Sequence, residues 1–160
     1  MKCCFSFTPG FSKLGFTVLN KIPKIFLRRS QLTEILLHAQ QAAPYECCGL
    51  IGGSEDGRTA SIYRLTNVAP NTEIAYEAAP EQLFSAQRQM RQRGETLLAI
   101  YHSHPRAAEP TPSETDVRLA YYPSATYLIV GLGGTDPVVR GFTISEEHHQ
   151  WEQVEYDVCD

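Results

Sequence analysis

Apolar positions along the chain recur with two different periods. Between residues 30 and 42, Leu32, Ile35, Leu36 and Ala39 fall three or four apart, which predicts a helix that Ser30 can cap and Pro44 closes. Residues 81–93 predict a second helix, rich in Gln and Arg, with Gly94 placed to end it. Elsewhere the apolar residues come in short runs that suit strands: 25–29, 47–52, 96–102 and 125–131. Gly52 to Gly57 reads as a hairpin turn, and 58–66 as the return strand. Residues 67–80, with Asn67, Pro70, Asn71 and Pro80, read as a loop. A Pro-rich loop covers 105–112, and Ser113 begins a short helix. Two further strands are expected over 138–145 and about 150–158. This order predicts an α/β protein with a mixed, partly curled sheet flanked by a few helices.

Composition narrows the class. With 160 residues, 42% hydrophobic and 20% charged, the chain suits one globular domain with a single core. No apolar run approaches the roughly 20 residues of a membrane helix, so no membrane partner is expected. A net charge of −4 gives no basic surface for nucleic acid. The charge is uneven. Residues 1–33 hold all four lysines, Arg28 and Arg29, and no acid; residues 34–160 hold all 18 acids and eight arginines. The break predicts a basic N-terminal appendage over 1–24 and a domain over 25–160. Residues 1–24 lack the continuous apolar stretch of a secretory signal. The cysteines number five and include two vicinal pairs, Cys3-Cys4 and Cys47-Cys48, a poor disulfide framework. Reduced thiols in the cytoplasm are the expectation.

The chemistry concentrates in residues 101–116. His102 and His104 stand two apart at a strand end, so both imidazoles point the same way. Asp116 falls in the first turn of the next helix. Two imidazoles and a carboxylate can hold one metal ion with a position left for water. Ser113 and Asp116 are equally a sound helix-capping pair. From the residues alone both readings stand. A non-haem iron site would use the same donor types. A zinc deaminase is disfavoured, because no Pro-Cys-x-x-Cys pair exists. Cys47 and Cys48 read as small buried hydrophobes, and His148-His149 as a solvated turn.

His102-Ser103-His104-Pro105, followed by Pro112-Ser113-x-x-Asp116, resembles the JAMM (MPN+) motif of the JAB1/MPN/Mov34 metalloproteases. Pro44-Tyr45-Glu46-Cys47-Cys48-Gly49-Leu50 resembles the segment that carries that family's catalytic glutamate. Eleven residues separate His104 from Asp116, one more than is usual there, and the extra residue falls within Arg106–Pro110. The resemblance covers roughly residues 25–145. It implies the MPN/JAB1 domain with its cytidine-deaminase-like architecture. It implies Zn2+ held by His102, His104 and Asp116, with Glu46 as general acid/base and Ser113 stabilising the oxyanion. The short stand-alone prokaryotic type implies a zinc metallopeptidase of isopeptidase or deubiquitinase kind. Its expected action is hydrolysis after the C-terminal Gly of a ubiquitin-like or sulfur-carrier protein ending in Gly-Gly. The other reading the resemblance allows is a non-catalytic MPN scaffold for protein interaction.

Overall fold

The computed structural model describes residues 24–145 and 147–160. The expected appendage, residues 1–24, lies outside these except for Lys24, whose ammonium pairs with Asp157 at 2.8 Å.

In chain order the elements are β1 (Ile25–Arg28), α1 (Arg29–Ala42), β2 (Cys48–Gly53), β3 (Thr59–Leu65), α2 (Pro80–Arg93), β4 (Thr96–His104), α3 (Glu114–Arg118), β5 (Thr126–Gly131), β6 (Val138–Ser145), β7 (Gln150–Val154) and β8 (Tyr156–Cys159). Six strands form one sheet in the order β3-β2-β4-β5-β6-β7. Only β4 and β5 pair in parallel within it; the other neighbours are antiparallel. The mixed α/β sheet with flanking helices is thus the observed architecture.

Alternation along the central strands fills both faces of the sheet. On one face Leu50, Ile100, Tyr127 and Ile129 pack with Ala86 and Met90 of α2 and Val117 of α3. On the other, Ile51, Tyr101, Leu128 and Val130 pack with Ile35 and Ala39 of α1 and Leu27 of β1. Burial on both faces explains why these strands read as continuous apolar runs. It also fixes which face His102 occupies. Two residues beyond Ile100, it points to the α2 and α3 side.

Two boundaries depart from the sequence reading. Helix α1 starts at Arg29, with Arg28 rather than Ser30 at its N-cap. Gln31 causes the shift. Its Oε1 accepts from the Arg28 amide at 2.9 Å, while its Nε2 donates to the Ala60 carbonyl at 3.2 Å. The buried Gln31 amide thereby anchors the helix start to β3, and a hydroxyl cap at Ser30 is not needed. The strand expected over 150–158 is two strands that break at Glu155. β7 extends the large sheet, whereas β8 leaves it to pair in parallel with β1, Ile25 opposite Tyr156 and Arg28 opposite Cys159.

Other local signals act as expected. The β2–β3 reversal places Gly57 at φ 89, a left-handed geometry that glycine accepts without strain. Pro80 opens α2, and Gly94, at φ 67, ends it. Cys47 and Cys48 are buried among apolar side chains, and Cys47, Cys48 and Cys159 are free thiols. His148 and His149 lie exposed in a turn. Among the described residues no helix is long and apolar enough to cross a membrane.

Candidate active site

Strand β4 delivers both histidines. His102 is fully buried and His104, at the strand end, is partly open. Pro105 follows, and the chain loops to Ser113, whose extended backbone (φ −75, ψ 167) makes it the N-cap of α3. The Ser113 hydroxyl accepts from the Asp116 amide at 3.1 Å, and the Ser113 amide donates to Asp116 Oδ2 at 2.7 Å. This reciprocal cap does not compete with a role for Asp116 towards a metal; it aims the carboxylate. Asp116 Oδ1 lies 3.3 Å from His102 Nε2, and Oδ2 lies 3.2 Å from His104 Nε2. The two Nε2 atoms are 3.1 Å apart.

One ligand atom from each of His102, His104 and Asp116 therefore converges on a single point, all within 4.8 Å of one another. Four-coordinate zinc with bonds of about 2.0–2.1 Å has ligand–ligand edges of roughly 3.4 Å. The separations of 3.1–3.3 Å, with each imidazole facing its own Asp116 oxygen, lie close to that edge, so the donor set suits an ion of this size. Its chemistry fits too, since two imidazoles and one carboxylate leave a fourth tetrahedral position for water.

Glu46 approaches from the segment just before β2, with Oε1 3.9 Å from His104 Nε2. The residue is buried, and its Oε2 has no hydrogen-bond partner. Burial raises the Glu46 carboxyl to about 7, against the opposing pull of His104. A group titrating there can both take and return a proton near neutral pH. For Asp116 burial also works against the charge. The two imidazoles and the Ser113 amide outweigh it and hold that carboxyl well below the usual range. The two acids thus divide, one held anionic and one poised to shuttle.

The structure brings His102, His104, Asp116 and Glu46 together, with Ser113 capping the helix that carries Asp116, and three further residues support this corner. Asn67, the first residue beyond β3 and Thr66, spends its whole side-chain amide on this corner. Its Nδ2 donates to the carbonyls of Glu46 and Ala75, each at 2.9 Å. Its Oδ1 accepts from the amides of Ala69 (3.0 Å) and Glu77 (3.1 Å). The Glu46 amide in turn donates to the Thr72 carbonyl at 2.7 Å. Loop 67–79 thereby clasps the Glu46 backbone from both sides. Ser103, between the histidines, points to the opposite face, where its hydroxyl accepts from the Cys47 amide at 2.9 Å. Tyr76 stacks on the His102 ring, centroids 4.5 Å apart. Asn67 was visible in the sequence only as a loop former, and Ser103 as a spacer. Their partners are distant in the chain, 21 residues from Asn67 to Glu46 and 56 from Ser103 to Cys47.

Beside Glu46 a cleft of 540 Å³ opens between the end of α1 and the start of α2, with Tyr45, Thr66, Thr72 and Gln82 among its walls. Arg64 and Leu65 of β3, one of the two outermost strands of the sheet, form its edge.

The family model for prokaryotic homologs of the JAB domain matches residues 28–145. The desampylase of Haloferax volcanii is 37% identical over 105 residues, which span 62% of this chain and 75% of that protein. A probable TtuB-protein conjugate cleaving protease of Thermus thermophilus is 34% identical over 122 residues, spanning 76% and 77% of the two chains. Among solved structures, a Desulfitobacterium hafniense protein superposes with a TM-score of 0.74 at 34% identity, covering 85% of this chain and 93% of that one. A JAB1/MPN domain protein from Archaeoglobus fulgidus shares the fold, with a TM-score of 0.57 at 20% identity and coverage of 85% and 98%.

Proposed function

This chain belongs to the prokaryotic JAB-domain family, and from that premise we propose that it is a zinc-dependent peptidase. Its proposed reaction is hydrolysis of the amide bond after the C-terminal Gly of a ubiquitin-like or sulfur-carrier protein. The observation that carries this reading is the convergence of His102, His104 and Asp116 with Glu46 beside them. The relatives named for desampylation and for cleaving protein conjugates support the substrate class.

His102, His104 and Asp116 would hold the metal. When bound there, zinc supplies Lewis-acid polarisation of a carbonyl and a water of lowered pKa, from about 15.7 towards 7. The chain's own residues do the rest. Glu46 takes the proton that the attacking water gives up, and hands it to the leaving amine as the C–N bond breaks. Its raised pKa suits both halves of that transfer. Ser113 stabilises the oxyanion of the tetrahedral intermediate. Its oxygen already accepts from the Asp116 amide, so its hydroxyl proton remains to be donated to developing charge. Asn67 and Ser103 fix the backbone on either side of the Glu46–Cys47 peptide.

The cleft beside Glu46 is proposed to take the extended tail. Main-chain pairing along the Arg64 end of β3, beyond the Ala60 carbonyl that Gln31 occupies, would hold it, and glycines let it approach closely. A cytoplasmic setting is proposed from the cysteine pattern, an odd number with two vicinal pairs. Residues 1–24 are proposed as a segment appended to a domain over 25–160, since the family match begins only at 28.

The test uses the full chain purified without chelator. Metal analysis should find one zinc per chain; iron in its place would replace zinc with a different metal chemistry. A carrier extended by a short peptide past Gly-Gly should be cut directly after the last Gly. Cutting should stop with chelator and weaken sharply when that Gly becomes Val. Efficient cutting of unstructured peptides at non-glycine bonds would mark a general peptidase instead.

A further inference from the structure

The reaction makes no use of the outer face of α2. The inner face of that helix buries Ala86 and Met90. Its outer face carries Phe84, Arg88 and Arg91, spaced by four and then three residues, so that the three side chains line up as one stripe. Phe84 is 68% exposed, a large cost in wetted apolar area for a residue with no packing role. The guanidinium groups of Arg88 and Arg91 have no hydrogen-bond or ion-pair partner among the described residues. Arg58, Arg64, Arg106 and Arg140 by contrast each pair with a carboxylate. Residues 34–160 hold 18 acids and only eight arginines, so two cations without a partner among the described residues stand out beside an open aromatic ring. Glu81 is the acid at the near end of the stripe. Gln82, two residues before Phe84, walls the cleft beside Glu46. From Phe84 to Arg91 the helix advances about 10 Å away from that cleft.

We propose that this stripe docks the folded body of the carrier whose tail enters the cleft, and that it selects a carrier with an acidic surface around a small apolar patch. The proposal rests on the substrate class given above and adds the sign of the charge it reads. Arginine and aromatic side chains are the types that concentrate binding energy at protein interfaces. The acids over the rest of the surface repel the same partner, which restricts it to one orientation. A carrier with a basic surface meets like charge at the stripe and is rejected.

The experiment uses the full zinc-loaded chain and two substrates. One is a folded ubiquitin-like protein of net negative charge extended past Gly-Gly; the other is a short peptide with that tail sequence alone. Arg88→Glu with Arg91→Glu should raise KM for the folded substrate by about tenfold or more and leave its kcat within about twofold. Cleavage of the peptide should not change. The KM effect should shrink at high salt, and Arg88→Lys with Arg91→Lys should largely restore binding. Phe84→Ala should raise KM for the folded substrate alone. Equal losses on both substrates, or an unchanged KM for the folded one, would overturn the proposal. So would a lowered melting temperature with unchanged KM, which would make Arg91 a partner of the helix C-terminus only. Calorimetric titration of the carrier into wild-type and doubly substituted chain separates docking from turnover. Binding without cleavage by wild type would defeat the peptidase reading and leave docking standing; no binding by wild type would defeat docking.

Discussion

Asn67 donates a hydrogen bond to the carbonyl of Glu46, 21 residues earlier in the chain, at 2.9 Å. The same amide group closes loop 67–79 through Ala69, Ala75 and Glu77. Asn67→Ala should therefore act on catalysis through Glu46 without touching the metal ligands. The expected result is zinc content equal to wild type and kcat reduced by up to about 10²-fold, the scale that a displacement near 1 Å can cause. Stability should fall by about 1–3 kcal/mol, since partly buried groups lose their partners. Kinetics beside metal analysis check this; a metal-free variant would show that the clamp supports the histidines instead.

Glu46→Gln should keep zinc and the fold and lose about 10²–10⁴-fold in turnover. The amide is nearly isosteric with the acid and cannot accept the proton. His102→Ala combined with His104→Ala should by contrast lose zinc as well. Metal content and single-turnover cleavage, measured on both variants, distinguish a proton shuttle from a ligand. Near wild-type turnover by Glu46→Gln would remove Glu46 from the mechanism.

Gly49 faces Tyr101 across the β2–β4 ladder, and a Cβ there would lie 2.3 Å from the Tyr101 ring. Tyr101 is itself fully buried and cannot swing away. Gly49→Ala should destabilise by about 1–3 kcal/mol through overpacking. Because Gly49 follows Cys48 by one residue, the strain should also disturb the Glu46 end of β2. Chemical denaturation should show a lower midpoint with an unchanged slope.

His38 Nδ1 shares a hydrogen bond with the Tyr101 hydroxyl at 2.8 Å. Burial, aided by Arg64, lowers the pKa of His38 below its ordinary value of 6.5. The unfolded chain thus takes up a proton at higher pH than the folded one. The stability contribution of neutral His38 is complete above the unfolded value and declines as pH falls through it. Zinc-loaded wild type should lose stability relative to His38→Gln between about pH 7.5 and 5.5. Denaturation at the two pH values measures the difference; parallel curves would exclude His38.

What the sequence made legible follows the range of the interactions. The strands over 47–52, 96–102 and 125–131 carry their signal locally, in unbroken apolar runs that both faces of a covered sheet require. The His102–His104 pair was readable because strand alternation alone places both rings on one side. Asp116 was readable as either cap or ligand, and the structure makes it a helix cap whose carboxylate is aimed at both imidazoles. Glu46 carried no local signal and was reached only through family resemblance; its burial, which sets its pKa, is a property of the assembled corner. Arg28 at the N-cap, Asn67 and the departure of β8 escaped for a common reason. Gln31 bonds to Ala60, Asn67 to Glu46 and β8 to β1, and no local period records such pairings.

The parallel ladder between β1 and β8 has a mechanical consequence. Lys24 enters β1 at the end where Tyr156 begins β8, and Asp160 leaves β8 at the other end. Tension applied at Lys24 and Asp160 would drag the two strands lengthwise past each other. All the rungs from Ile25 to Arg28 would then bear load together, as in a lap joint, instead of opening one by one like a zip. A four-residue joint of this kind lets the large sheet, and the site it carries, stay unstrained while the ends are pulled.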